Sequence, residues 1–206
     1  ALKADSTLDF YPSGGDGGKL QQEVFKHTSA GEMYYPHFCW HAFRYIEVSN
    51  NARIETVNVV HSDCDVTSGF DSDNEVLNWL YKTYLRTQLD NMHCGVPSDC
   101  PHIERLGYTG DGQLTCHAAL SVLDARKFYE KWLQDIADSQ DVISGHIQYT
   151  APYIRSGGGP GGWGCAVVEV PYQLWKYFGN REVIEKYLPN MMRWMAYMDS
   201  RTSHGF

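Results

Sequence analysis

Residues 111–123 (DGQLTCHAALSVL) and residues 125–137 (ARKFYEKWLQDIA) follow each other with one aspartate between them. In both stretches the apolar side chains recur at the spacing of an amphipathic helix. Residues 73–89, 165–178 and 181–200 show the same period. Because helical patterns follow one another with little between them, the sequence predicts a mainly α fold after about residue 70.

The first helical pattern has its apolar residues on one face, and Asp73 precedes them where its carboxylate can cap the helix. The residues on that face are Val76, Leu77, Leu80, Tyr81, Tyr84, Leu85 and Leu89. Pro171 and Pro189 lie inside the fourth and fifth patterns. Proline removes a backbone hydrogen bond and clashes with the preceding turn, so we expect a kink or an interruption at each.

The chain before residue 70 has the two-residue period of β-strands. Residues 42–48 (AFRYIEV) alternate, residues 54–60 (IETVNVV) alternate again, and residues 49–52 between them have the composition of a turn. This pattern predicts a β-hairpin.

Charge and composition argue against several classes of partner. The 206 residues carry a formal net charge of −8 at pH 7 without any run rich in Lys or Arg, so binding to nucleic acid is not expected. No apolar run approaches the roughly 20 residues of a membrane-spanning helix, so no membrane insertion is expected. The six cysteines form no Cys-x-x-Cys pair and, with the neighbouring histidines, fit no common zinc spacing. We therefore expect no metal site.

A crowded polar stretch, residues 99–111 (DCPHIERLGYTGD), precedes and enters the second predicted helix. It contains the carboxylates Asp99, Glu104 and Asp111, interleaved with Arg105 and Tyr108. Cleavage of a glycosidic bond needs one carboxylic acid that protonates the leaving oxygen and one carboxylate that acts at the anomeric side. In a loop crowded with acids, the negative charges of the neighbours can raise the pKa of one carboxyl and keep it protonated near neutral pH. Glu104 is the best placed candidate for that acid.

The same carboxylates have a purely structural interpretation. Asp99 and Asp111 are also suited to cap helices, and Glu104 to pair with Arg105 or another base at the surface. The residue types alone leave both interpretations open.

Two connections rich in Gly and Pro, residues 95–101 and 156–164, lead into alternate predicted helices. In a barrel of helical hairpins such connections gather at one end, so we expect both to face a common pocket. Trp163 lies among glycines that cannot bury it, which suits a platform for stacking on a sugar. Aromatic residues make up 14% of the chain, although they are also ordinary core material.

A family resemblance rests on these residues. Residues 98–111 (SDCPHIERLGYTGD) resemble the catalytic signature of glycoside hydrolase family 78, the bacterial and fungal α-L-rhamnosidases. Residues 41–48 (HAFRYIEV) resemble the strand that ends the β-sandwich before the catalytic domain of that family. Residues 162–164 (GWG) resemble a later loop of the barrel, so the resemblance spans most of the chain.

The resemblance implies an (α/α)6 barrel preceded by the last strands of a β-sandwich domain. Residues 1–70 would be the C-terminal part of the β-sandwich domain, and residues 71–206 the N-terminal part of a truncated catalytic barrel. The implied activity is release of terminal α-L-rhamnose from glycosides or polysaccharides with inversion, without metal or cofactor. The substrate would be a carbohydrate, and the compartment the bacterial periplasm or the outside of the cell, with the cytoplasm as the alternative.

The resemblance also implies roles for single residues. Glu104 matches the general acid, Asp99 and Asp111 match residues that hold rhamnose hydroxyls, and Trp163 matches an aromatic wall of the sugar pocket. We place Arg105 and Tyr108 among the substrate-binding residues as well. This sequence departs from the pattern at Tyr108, where the family commonly has Trp, and residues 99–104 are one residue shorter than in many members.

The general base of the family is a Glu in a later helical hairpin, for which the sequence has no counterpart. We therefore expect this stretch to be part of a longer polypeptide and to be inactive alone. Two alternatives stand beside the rhamnosidase: a non-catalytic sugar-binding relative, and a hydrolase of the same fold that acts on another sugar.

Overall fold

A computed structural model describes residues 6–11, 21–26, 29, 31–49, 52–154 and 161–203. The chain forms two compact units. The first runs to Val60 and includes Cys100–Glu104, and the second comprises His61–Asp99 and the residues from Arg105 onward. In the described part of the chain no helix is both long and apolar enough to cross a membrane.

The first unit contains a three-stranded antiparallel sheet, with strands β1 (Ser6–Tyr11), β2 (Gln21–Phe25) and β3 (Tyr45–Val48). The strand order is β2-β1-β3, so β1 is central. Phe10 on β1 is buried, and its ring stacks on His41 at 4.1 Å between centroids. The small core of this unit therefore forms on one face of β1.

The predicted hairpin between residues 42–48 and 54–60 is wrong. Its first half does form β3, but β3 pairs with β1, with Leu8 opposite Val48. Residues 54–60 have no regular secondary structure and are exposed throughout, with Val57 and Val59 exposed by 63% and 62%. Alternation stabilises a strand only where one face is buried, and in this segment neither face is.

The second unit is mainly helical, as the sequence predicts, with all five helical patterns confirmed. Its elements are α1 (Glu75–Asp90), β4 (Met92–His93), β5 (Val96–Pro97), α2 (Thr109–Val122), α3 (Arg126–Ser139), a 3₁₀ turn (Gly162–Cys165), α4 (Ala166–Phe178) and α5 (Arg181–Arg201). The prediction of a mainly α fold is therefore confirmed.

Two local details of these helices differ from the sequence-based expectation. Asn74, not Asp73, caps α1: its side-chain oxygen accepts hydrogen bonds from the backbone N–H groups of Val76 and Leu77. Neither α4 nor α5 is interrupted, although each contains its proline. Tertiary packing of the buried faces supplies most of the stability of such helices, so the loss of one backbone hydrogen bond does not end them.

The core of the second unit is built around two fully buried indoles, Trp132 on α3 and Trp194 on α5. Glycines let two other elements approach these rings closely. A Cβ at Gly112 of α2 would lie 2.2 Å from Trp132, and a Cβ at Gly164 in the 3₁₀ turn would lie 2.1 Å from Trp194. The start of α2 and the 3₁₀ turn are thus both seated directly on the core.

The connection after α3 contains a histidine in apolar surroundings. The ring of His146 packs against Tyr197 and Trp194 of α5, at 5.0 and 6.2 Å between centroids. Both ring nitrogens are buried, and neither has a hydrogen-bond partner among the described residues. Burial lowers the pKa of this imidazole, which outweighs the opposite effect of Asp141, while Arg201 lowers it further.

Protonation of His146 is expected to destabilise the folded state. Because its folded pKa lies below its ordinary value of 6.5, its contribution is fully present above that value and is lost as the pH falls. We expect His146→Phe, which keeps a ring against the two aromatics, to weaken the fall in thermal unfolding midpoint between about pH 7.5 and pH 5. His61→Gln, a change at an exposed histidine, is the control. An identical pH dependence in all three proteins would contradict the assignment.

Candidate functional site

Two hydrogen bonds between Asp99 and Leu106 close the loop that carries the predicted acid. The carboxylate Oδ1 of Asp99 accepts a hydrogen bond from the backbone N–H of Leu106 at 3.1 Å, and the Asp99 N–H donates to the Leu106 carbonyl at 3.1 Å. Asp99 is half-buried and begins no helix. The capping interpretation of Asp99 is therefore wrong, and its side chain instead holds the two ends of the loop together.

Glu104 and Arg105 lie at the end of this loop. The Glu104 side chain is exposed, and its backbone N–H donates to the Sγ of Cys100 at 3.4 Å. Arg105 is half-buried and has a φ of 56°, in the left-handed region that residues with a side chain rarely adopt. Such a conformation costs on the order of 1–3 kcal/mol, and outliers of this kind concentrate at functional sites.

The start of α2 is fixed by a distant segment. Tyr108 precedes α2 without a side-chain cap, and it forms an antiparallel bridge with Thr150. The Thr109 N–H donates to the Tyr149 carbonyl at 2.7 Å, and the Ala151 N–H donates to the Gly107 carbonyl at 2.9 Å. Residues 107–109 are thus paired with residues 149–151, which fixes where the helix begins and where its first side chains lie.

Asp111 lies in the first turn of α2 and is half-buried. It is not the capping residue, since the helix begins at Thr109 after Tyr108. Its negative charge is favourable there, because the first turn of a helix presents unpaired N–H groups and the positive end of the helix dipole.

Three rings, Tyr108, Tyr149 and Trp163, form what we call the aromatic cluster. The Trp163 ring meets Tyr108 edge-on at 5.4 Å between centroids with an interplanar angle of 77°, and it meets Tyr149 at 4.9 Å and 61°. Beneath it, a Cβ at Gly110 would lie 2.7 Å from the indole, so the ring rests on the first turn of α2. Trp163 nevertheless remains 39% exposed, which leaves surface for a ligand.

The structure therefore brings together several of the predicted site residues. Tyr108 and Trp163 are in contact, and Asp111 follows directly after the glycine on which the indole rests. Val96 of the first glycine-rich connection also lies against this region, since a Cβ at Gly107 would be 2.5 Å from its Cγ1. Residues 155–160 of the second connection lie outside the described residues. The expectation that both connections face a common pocket therefore stays a prediction.

Tyr149 was missed by the sequence analysis, as was Gln113, whose side chain contacts the 3₁₀ turn. Tyr149 lies in a connection without helical or strand period, and no local pattern marks it. Gln113 lies within the helical pattern of residues 111–123, and nothing in that pattern marks it as part of a site. Carboxylates are suited to bind the hydroxyl groups of a sugar, and aromatic rings are suited to bind its ring faces. The expectation that no cofactor is needed stays a prediction.

The chain is similar to known proteins over most of its length. A family model described as the bacterial alpha-L-rhamnosidase 6 hairpin glycosidase domain matches residues 65–205. This match, over more than half of the chain, places it in the class of six-hairpin glycosidase domains. More specifically, the chain belongs to the bacterial α-L-rhamnosidase family of that class. The sequence-based resemblance to rhamnosidases and the predicted (α/α)6 barrel portion are confirmed, whereas the domain boundary at residue 70 stays a prediction.

Individual relatives carry the same name. An alpha-L-rhamnosidase of Streptomyces avermitilis is 33% identical over 178 residues, which are 83% of this chain and 17% of the relative. One from Formosa agariphila is 27% identical over 202 residues, covering 89% of this chain and 21% of the relative. The chain thus spans about a fifth of the length of these curated relatives.

Solved structures show the same likeness. The Streptomyces avermitilis alpha-L-rhamnosidase complexed with L-rhamnose gives a TM-score of 0.84 at 28% identity, covering 98% of this chain and 21% of that one. The alpha-L-rhamnosidase from Dictyoglumus thermophilum gives 0.83 at 25% identity, covering 97% of this chain and 24% of that one.

Proposed function

We propose that the protein containing this chain is an α-L-rhamnosidase, an inverting glycoside hydrolase that releases terminal α-L-rhamnose from glycosides or polysaccharides. Membership of the rhamnosidase family supports this proposal. The observation that carries it is the aromatic cluster, whose indole rests on Gly110 in the first turn of α2, the turn that also contains the carboxylate of Asp111. Aromatic faces bind the apolar C–H surface of a sugar, and carboxylates bind its hydroxyl groups.

The chemistry of rhamnose fits such a cluster. Rhamnose carries a methyl group where most hexoses carry a hydroxymethyl group, so one end of the sugar is apolar. Trp163 and Tyr108 offer aromatic surface for that end, while Asp99, Arg105 and Asp111 are proposed to bind the hydroxyl groups. A site with both kinds of group fits a deoxy sugar, which has an apolar end as well as hydroxyl groups.

In the proposed reaction Glu104 is the general acid. Its carboxyl group donates a proton to the glycosidic oxygen as the bond to the anomeric carbon breaks, and the aglycone leaves as an alcohol. A separate carboxylate takes a proton from the water that attacks the opposite face of the sugar. Inversion requires room for this water, so we expect the two carboxyl groups to lie about 6.5–9.5 Å apart in the complete enzyme.

The test is hydrolysis of p-nitrophenyl α-L-rhamnoside by the full-length protein, with proton NMR of the first sugar released. We expect nitrophenol release and the β-anomer of rhamnose as the first product. The α-anomer as first product would refute inversion. Turnover of only another aryl glycoside in a parallel panel would favour a same-fold hydrolase of another sugar, and rhamnose binding without any turnover would favour a non-catalytic relative.

A further inference from the structure

The side chain of Gln113 on α2 binds the backbone that carries the indole of Trp163. Its side chain is 8% exposed, and its Nε2 donates hydrogen bonds to the carbonyl oxygens of Gly162 at 2.5 Å and Trp163 at 3.3 Å. We propose that Gln113 is a positioning residue that fixes the orientation of Trp163 toward the sugar. This inference rests on the proposed function, since it assigns Trp163 to the substrate.

The 3₁₀ turn that carries Trp163 is held only weakly by its own hydrogen bonds. It is only four residues long, and 3₁₀ hydrogen bonds have poorer geometry than those of an α-helix. Gly161, with a φ of 121°, precedes it, and a Cβ at Gly161 or Gly162 would meet no atom within 4 Å. Among the described residues no other side chain donates to the carbonyls of Gly162 and Trp163.

Gln113 and Gly110 act on Trp163 from the same face of α2. They are three residues apart, which places them next to each other on a helix surface. Gly110 lies under the indole ring, and Gln113 holds the backbone from which that ring projects. The ring and the backbone of Trp163 are therefore both held by α2, the helix whose first turn also contains Asp111.

A positioning role of Gln113 and simple burial of its polar side chain predict different effects of substitution. A buried glutamine that only satisfies its own hydrogen bonds would affect stability and leave the behaviour of Trp163 unchanged. A glutamine that positions Trp163 has an effect on substrate binding that disappears once Trp163 is removed, because residues that act through one another are not additive.

The experiment is a double-mutant cycle in the full-length protein with an aryl α-L-rhamnoside as substrate. We expect Gln113→Ala to raise KM about tenfold while kcat changes less than about threefold, because the platform binds the sugar and does not transfer the proton. In a Trp163→Ala background the same change is expected to alter KM by less than about twofold. A full additional tenfold loss in that background, or an unchanged KM for folded Gln113→Ala, would overturn the proposal.

Gln173→Ala is the matched control. Gln173 is also a buried glutamine, 4% exposed, but it lies on α4 and its Nε2 donates to the Glu169 carboxylate at 2.6 Å. Its substitution is expected to change KM by less than about twofold. An equal rise in KM in both variants would show a general loss of packing and overturn the positioning role.

A second variant covers the case in which Gln113→Ala does not fold. Gln113→Glu keeps the shape of the side chain, and the introduced group can donate a hydrogen bond only while it is protonated. We expect the ratio of its KM to the wild-type KM, measured at the same pH, to fall toward one as the pH is lowered. A KM ratio that does not change with pH would contradict the proposed hydrogen bond.

Fluorescence separates this inference from the proposed function. The contribution of Trp163 is obtained as the difference between the spectra of wild type and Trp163→Phe, in the absence of sugar. We expect Gln113→Ala to shift this contribution to longer wavelength, as a displaced indole becomes more hydrated, and Gln173→Ala to leave it unchanged. If the wild type does not hydrolyse any rhamnoside, the proposed function fails, while an unshifted contribution would reject the role of Gln113 by itself.

Discussion

Replacement of Glu104 by Gln is expected to lower kcat for an unactivated rhamnoside by about three orders of magnitude, because the amide cannot protonate the leaving oxygen. The fold should be unaffected, since the side chain is exposed and glutamine has the same shape. The measurement is steady-state hydrolysis of an alkyl rhamnoside by the full-length protein, with circular dichroism to verify folding.

Two controls make this result specific. A dinitrophenyl rhamnoside has a leaving group that needs no proton, so its hydrolysis by Glu104→Gln should be much less impaired. Glu182→Gln changes an exposed glutamate in the first turn of α5 and should retain wild-type rates with both substrates. Equal losses with the activated and the unactivated substrate would show that Glu104 is not the general acid.

Gly107→Ala is expected to lower the free energy of unfolding by about 3 kcal/mol, because the added methyl group has no room. A Cβ at Gly107 would lie 2.2 Å from the carbonyl oxygen of Ala151. That oxygen cannot move aside easily, since it accepts a hydrogen bond from Trp132 Nε1 at 2.9 Å, and the Ala151 N–H donates to the Gly107 carbonyl at 2.9 Å.

Urea denaturation of the full-length protein, followed by tryptophan fluorescence, measures this loss. Gly69→Ala is the matched control, because a Cβ at Gly69 would meet no atom within 4 Å. It should leave the unfolding curve within error of the wild type. If Gly107→Ala were as stable as Gly69→Ala, the close approach between residues 107 and 151 would be disproved.

The helices could be predicted from the sequence because each is long and amphipathic, and its pattern repeats over several turns. The hairpin could not, because the alternation at residues 54–60 resembles that of a half-buried strand although the segment forms no strand and is exposed. Asn74 took the place of Asp73 as the cap of α1 for a similar reason, since both side chains can cap and only the backbone conformation decides between them.

The candidate site was predictable only where its residues are close in sequence or belong to a signature. Residues 99–111 and Trp163 could be identified in this way. Tyr149 could not, because it reaches Thr109 and Trp163 through contacts between segments 40 and 14 residues apart, and no local pattern encodes such pairing. The hydrogen bond from Gln113 to Trp163 spans 50 residues and was hidden for the same reason.

The excursion of Cys100–Glu104 into the first unit makes that unit discontinuous in sequence. The chain passes between the units three times, after Val60, after Asp99 and after Glu104. Proteolytic cleavage at residue 60 alone would therefore not separate them as modules. Genetic exchange of residues 1–60 with those of another family member would give Glu104 new neighbours while every helix remained the same. Residues 1–60 and the segment Cys100–Glu104 are therefore expected to evolve together, which disfavours exchange of one unit without the other.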